Sequence, residues 1–129
     1  MTSSERARGP YSSYVSTLVN AVITASEEKL GEDTVVLDLR ELIDAFDALV
    51  VTSGRNDRQV RALAQEIERF VDFALDVKPI RVEGFFEGEW VALDYGDVIV
   101  HVFDDAAREY YDLEHLWNAA PALRHQPAR

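Results

Sequence analysis

Three features of this 129-residue chain could do chemistry: a serine-glycine turn, a histidine in an apolar run, and a set of acids around a tryptophan. Ser53-Gly54 follows the run Ala48-Leu49-Val50-Val51-Thr52 and opens a helical stretch, a place where backbone N–H groups can hold an anion. The same pair also reads as plain connecting backbone, and neither a G-x-G-x-x-G nor a P-loop motif accompanies it. Ser53 lacks the preceding glycine of a nucleophile elbow, so no activated serine is predicted. His101 lies within Val98-Ile99-Val100-His101-Val102-Phe103, which predicts a sheltered, hydrogen-bonded ring rather than a general base. His115 and His125 add no metal-ligand spacing. Two-metal chemistry needs carboxylates at i and i+2 on one strand, because that spacing aims both at one metal pair. Asp94 and Asp97 straddle a turn, Asp104 and Asp105 are adjacent, and Glu87 and Glu89 flank Gly88. No catalytic residue, metal site or cofactor is therefore expected.

Binding is a better prospect than catalysis. Trp90, Ala92 and Asp94 share one face of an alternating run, and Val91, Leu93 and Tyr95 share the other. A tryptophan beside carboxylates suits an interface anchor, since aromatic side chains enrich binding hot spots and acids answer Lys or Arg. The alternation equally allows Trp90 to pack under a helix. Charge bears on the same point: 24 acidic residues against 13 Lys and Arg leave a formal net charge of −11. Between Glu83 and Trp117 ten acids face one base, Arg108. Such a run can be a solubilising face or a docking surface for something basic. Direct grip on nucleic acid is disfavoured, because phosphate contacts need clustered Lys and Arg.

The elements that must position these residues follow from pattern. Val15, Leu18, Val19, Val22 and Ile23 predict a helix over about 10–30, ended by Gly31 as C-cap. Strands are expected at Thr34–Leu39 and Ala48–Thr52, both apolar enough to be internal. A second helix over about 57–76 is capped by Asn56 or Asp57 and ended by Pro79. Three short strands follow at Ile80–Glu83, Glu89–Tyr95 and Asp97–Phe103, with Asp94-Tyr95-Gly96-Asp97 as a tight hairpin turn. Asp104-Asp105 caps a last helix through Trp117. This order implies an α/β (α+β) domain over 10–117, with a mixed sheet of about five strands and helices packed on it. The segments 1–9 and 118–129 have no apolar period and read as disordered tails. Cysteine is absent, and no apolar run nears the roughly 20 residues of a spanning helix, so a cytoplasmic protein without disulfides is expected.

The stretches DAFDALVVTSGRNDRQVRALAQEIE, KPIRVEG, EGEWVALDYGDVIVHVF and REYYDLEHLW, in this order, resemble the ribosomal silencing factor (Iojap-like) family from the first helix to Trp117. The resemblance implies a nucleotidyltransferase-like fold without transferase activity. It implies a partner, large-subunit ribosomal protein fourteen, whose basic surface would be covered so that the small subunit cannot join. Translation would thereby be repressed in starvation, or newly built large subunits guarded. It also implies a homodimer when free. By the same resemblance the contact role falls on Trp90, Asp94, Tyr95 and Asp97, with Glu83 and Glu89 beside them. For Tyr95 the alternation points inward, unless the hairpin end exposes it. The alternative function is a metal-dependent nucleotide-binding or nucleotidyltransferase-like enzyme centred on Ser53-Gly54.

Overall fold

Two amphipathic helices cover one face of a sheet in the computed structural model, which describes residues 10–125. Helix α1 (Ser13–Glu28) starts where the Ser12 hydroxyl accepts the Val15 N–H, and it buries the predicted stripe from Val15 to Ile23. Helix α2 (Asp57–Leu75) is capped by Asn56, whose side chain accepts the Gln59 N–H at 2.9 Å. Val60, Leu63, Ala64, Ile67 and Val71 are all buried, as the i, i+3, i+4 spacing requires. Its end comes before Pro79, at Asp76, which turns left-handed at φ 56° and returns its N–H to the Asp72 carbonyl.

Among the described residues the sheet has six strands: β1 (Glu32–Asp38), β2 (Ala48–Gly54), β3 (Arg81–Glu83), β4 (Trp90–Asp94), β5 (Val98–Asp104) and β6 (Ala122–His125), in the order β3-β4-β5-β2-β1-β6. Of these six strands β2 and β5 run parallel, and the other neighbouring pairs are antiparallel. The parallel pair is joined through α2, the crossover that a parallel connection demands. Strand β2 is buried along its whole length, as an internal strand covered on both faces should be. The mixed α/β architecture agrees with the sequence reading, with one strand more than expected.

The additional strand comes from the segment read as a tail. Residues Ala122 to Leu123 pair with Leu37 and Val36 of β1, and Pro121 accepts the Asp38 N–H at 2.9 Å. Tethering on the far side is ionic: Arg124 reaches Asp33 at 2.6 Å and Glu114 at 2.9 Å. The expected tail at 1–9, and residues 126–129 of the tail expected at 118–129, lie outside the described residues. The last helix is also broken in two, α3 (Asp105–Tyr111) and α4 (Leu113–Leu116), with Asp112 at φ 46° between them. Its start is as read, the Asp104 side chain accepting the Ala107 N–H.

Gly31 is not the left-handed residue at the end of α1. Leu30 takes that conformation at φ 60°, while Gly31 is packed so closely that a Cβ would lie 2.7 Å from the Thr52 hydroxyl. The glycine is required by the approach of α1 to β2, and Leu30 carries the backbone turn.

Candidate functional site: the open sheet face around Trp90

The second sheet face is covered unevenly. Over β1 and β2 it is sealed by Leu39, Ile43, Phe46, Trp117 and Ala120, and next to them by Ala107 and Leu113 of the C-terminal helices. Over β3, β4 and the adjoining part of β5 the cover stops. Trp90, Ala92, Asp94, Ile99 and His101 are half-buried there, and Arg81 and Glu83 are exposed.

Register assembles the site. The hairpin turn uses Gly96 at φ 88°, with the Asp94 carboxylate accepting the Gly96 N–H at 2.8 Å, and it sets Asp94 opposite Ile99. Counting back, Ala92 faces His101 and Trp90 faces Phe103, so Trp90 and His101 are diagonal neighbours on one face. The indole N–H donates to His101 Nδ1 at 2.8 Å. The Trp90 ring also stacks on Phe103 at 5.0 Å and meets Tyr111 of α3 at 4.5 Å, separations typical of favourable aromatic pairs. Tyr110 stands edge-on to Tyr111 at 5.0 Å and is 81% exposed. Beside them a shallow hollow of about 480 Å³ is lined by Glu89, Asp104, Ala106, Ala107, Tyr110 and Tyr111.

His101 is sheltered and hydrogen-bonded, as its strand predicts. Burial disfavours the imidazolium and pulls the pKa down to about 4, so the ring is neutral at neutral pH. The acids form the surround: Glu83, Glu89 and Asp97 are exposed, and Asp94 is half-buried beneath Arg81, which reaches it at 3.4 Å and Glu83 at 3.7 Å. Tyr95 is different. It is 5% exposed on the helix-covered face with Val91 and Leu93, so the alternation is right and exposure at the hairpin end is corrected. Burial also pushes its phenol pKa up, with Glu68 and Asp72 adding to the effect. Thus Glu83 lies in β3, Trp90 and Asp94 in β4, Glu89 just before β4 and Asp97 at the hairpin turn, while Tyr95 packs beneath. The sequence reading missed Tyr111, and it did not join His101 to Trp90, although hairpin register was sufficient to do so.

Ser53 and Gly54, expected as a connecting turn, are instead the last two residues of β2, paired with Phe103 and Asp104 of β5, and they carry no poised nucleophile. The Ser53 hydroxyl is 2.8 Å from Arg108 Nη1 as its acceptor, and Arg108 also binds Glu114 at 3.0 Å. Among the described residues no group of three His, Asp or Glu side chains is placed to hold a metal ion, and no helix is long and apolar enough to cross a membrane.

Comparison with known proteins gives this arrangement a family. Residues 12–129 match the profile described as ribosomal silencing factor during starvation. A ribosomal silencing factor of Bacillus subtilis (strain 168) is 39% identical over 105 residues, which cover 81% of this chain and 87% of that protein. Its counterpart in Chromobacterium violaceum is 41% identical over 96 residues, 74% of this chain and 77% of that one. A crystal structure of a Chromobacterium violaceum protein superposes with a TM-score of 0.77 at 36% identity, over 88% of this chain and 89% of that one. A profile that spans the sheet and its helices, relatives matched over most of their length and a shared fold all agree: the chain belongs to the ribosomal silencing factor family.

Proposed function

We propose that the chain is a non-enzymatic translation repressor that binds the large ribosomal subunit through its ribosomal protein fourteen and so keeps the small subunit from joining. The observation that carries this reading is the half-open sheet face, where an aromatic cluster centred on Trp90 is bordered by the acids Glu83, Glu89, Asp94 and Asp97. Such a face suits a basic protein surface: the ring cluster supplies apolar contact, and the acids answer Lys or Arg at the rim. Arg81 would have to share Asp94 and Glu83 with the partner's cations. Tyr95 acts from below, as part of the core on which the hairpin rests. The protein works in the cytoplasm in this reading, and the free form pairs as a homodimer.

The test mixes purified protein with isolated large subunits, adds small subunits and follows sedimentation on a gradient. We expect the wild type to travel with the large subunit and to lower the yield of joined ribosomes. Trp90→Glu should lose both effects while its circular dichroism stays native. Wild-type behaviour from a folded Trp90→Glu protein would put the interface elsewhere.

A further inference from the structure

One ring nitrogen of His101 remains unassigned by the fold. An indole N–H is a donor only, so the 2.8 Å contact from Trp90 requires a lone pair on Nδ1 and leaves the proton of the neutral ring on Nε2. Among the described residues no group accepts from that Nε2–H. It is also not one of the buried side-chain atoms lacking a partner, which are the Tyr95 hydroxyl and Arg108 Nη2, so it reaches solvent on the open face. Trp90, for its part, has no polar atom left to satisfy. Its orientation is set from three sides, by the hydrogen bond, by Phe103 and by Tyr111.

We propose that His101 is a positioning and specificity residue of the partner site, locking the Trp90 indole through Nδ1 and offering Nε2–H to a main-chain carbonyl of the basic protein that docks on this face. The proposal rests on the function argued above. Its chemistry is directional. A partner that placed a donor, such as a lysine ammonium, against Nε2 would meet a donor in turn, whereas a carbonyl would complete the bond. The acids surrounding the face select for cations at the rim, and His101 selects for an acceptor at the centre.

Two measurements decide it. In the free protein, long-range nitrogen–proton NMR of the imidazole should show Nδ1 unprotonated and Nε2 protonated across neutral pH; the opposite tautomer would overturn the proposal without any ribosome present. The second measurement compares binding of His101→Asn, His101→Phe and Trp90→Glu proteins to purified large subunits, each checked for a native spectrum. His101→Asn keeps an acceptor near the indole but cannot reach the Nε2 position, and about a tenfold loss of affinity is expected from one missing intermolecular hydrogen bond. His101→Phe loses both contacts and should bind more weakly still. If Trp90→Glu abolishes binding while both His101 variants bind like wild type, the inference fails and the functional reading stands. If Trp90→Glu also binds like wild type, the reading of this face fails first.

Discussion

At the scale of single residues, Trp90 and His101 are held by a hydrogen bond that exists only while the imidazole is neutral, because protonation of Nδ1 would remove its acceptor. Burial of the ring ties stability to pH. The folded-state pKa of about 4 lies below the ordinary value of 6.5, so between those values the unfolded chain binds a proton that the folded chain does not. The contribution is fully present above about pH 6.5, falls as pH drops, and is exhausted below about pH 4. Chemical denaturation of wild type and His101→Phe at pH 7 and pH 4.5 isolates it, since the other titrating groups cancel in the difference. The stability gap between the two proteins should shift against the wild type by about 2–3 kcal/mol on acidification. A constant gap would mean that burial does not hold the ring neutral. Much of this site was legible in the sequence: the alternation placed Trp90 and Asp94 together, and the apolar strand foretold a sheltered His101. Tyr111 was not, because it arrives from a helix whose docking on the sheet depends on Leu113 and Ala107 packing at long range.

At the scale of elements, the junction between α1 and β1 shows where local patterns mislead. A glycine after a helical stripe signals a left-handed cap, yet here Leu30 takes φ 60° and Gly31 serves the close contact with Thr52. The two roles separate experimentally. Gly31→Ala must push a Cβ against Thr52, the Ser26 carbonyl and Leu63, and overpacking of this kind typically costs about 1–3 kcal/mol. Leu30→Gly should be neutral or stabilising, because Leu30 is 73% exposed and glycine relieves its backbone of the left-handed penalty of roughly 1 kcal/mol. Urea midpoints for both variants would show the contrast, and equal losses would return the cap to Gly31. Strand β6 escaped notice for a related reason. Its four residues carry no period that a strand must have, and they are ordered by β1 on one side and by the Arg124 ion pairs on the other. Both long helices were readable because their apolar stripes are continuous and their caps are local, at Ser12 and Asn56. The break at Asp112 was not, since nothing in the spacing from Asp104 to Trp117 marks a left-handed residue.

At the scale of the whole molecule, the sheet has one face closed by α1 and α2 and another left partly open, and the chain around it carries a net charge of −11. For the partner proposed above, this field would act against contact with RNA, which it repels, and in favour of a basic protein patch; discrimination by repulsion of wrong partners is part of specificity. Long-range charge steers encounter, whereas the desolvated aromatic contact governs how long a complex lasts. The two contributions should therefore separate by salt. With isolated ribosomal protein fourteen as the probe, raising salt from about 0.05 to 0.3 M should slow association by roughly tenfold as screening shortens the reach of the field. Dissociation should change far less over the same range. Trp90→Phe should show the reverse behaviour, a faster dissociation with an unchanged salt slope, because it trims the apolar anchor and leaves the acids in place. An association rate that ignores salt would identify the ten acids between Glu83 and Trp117 as solubilising charge alone, and the grip would then belong to Trp90, Tyr110 and Tyr111 without electrostatic help.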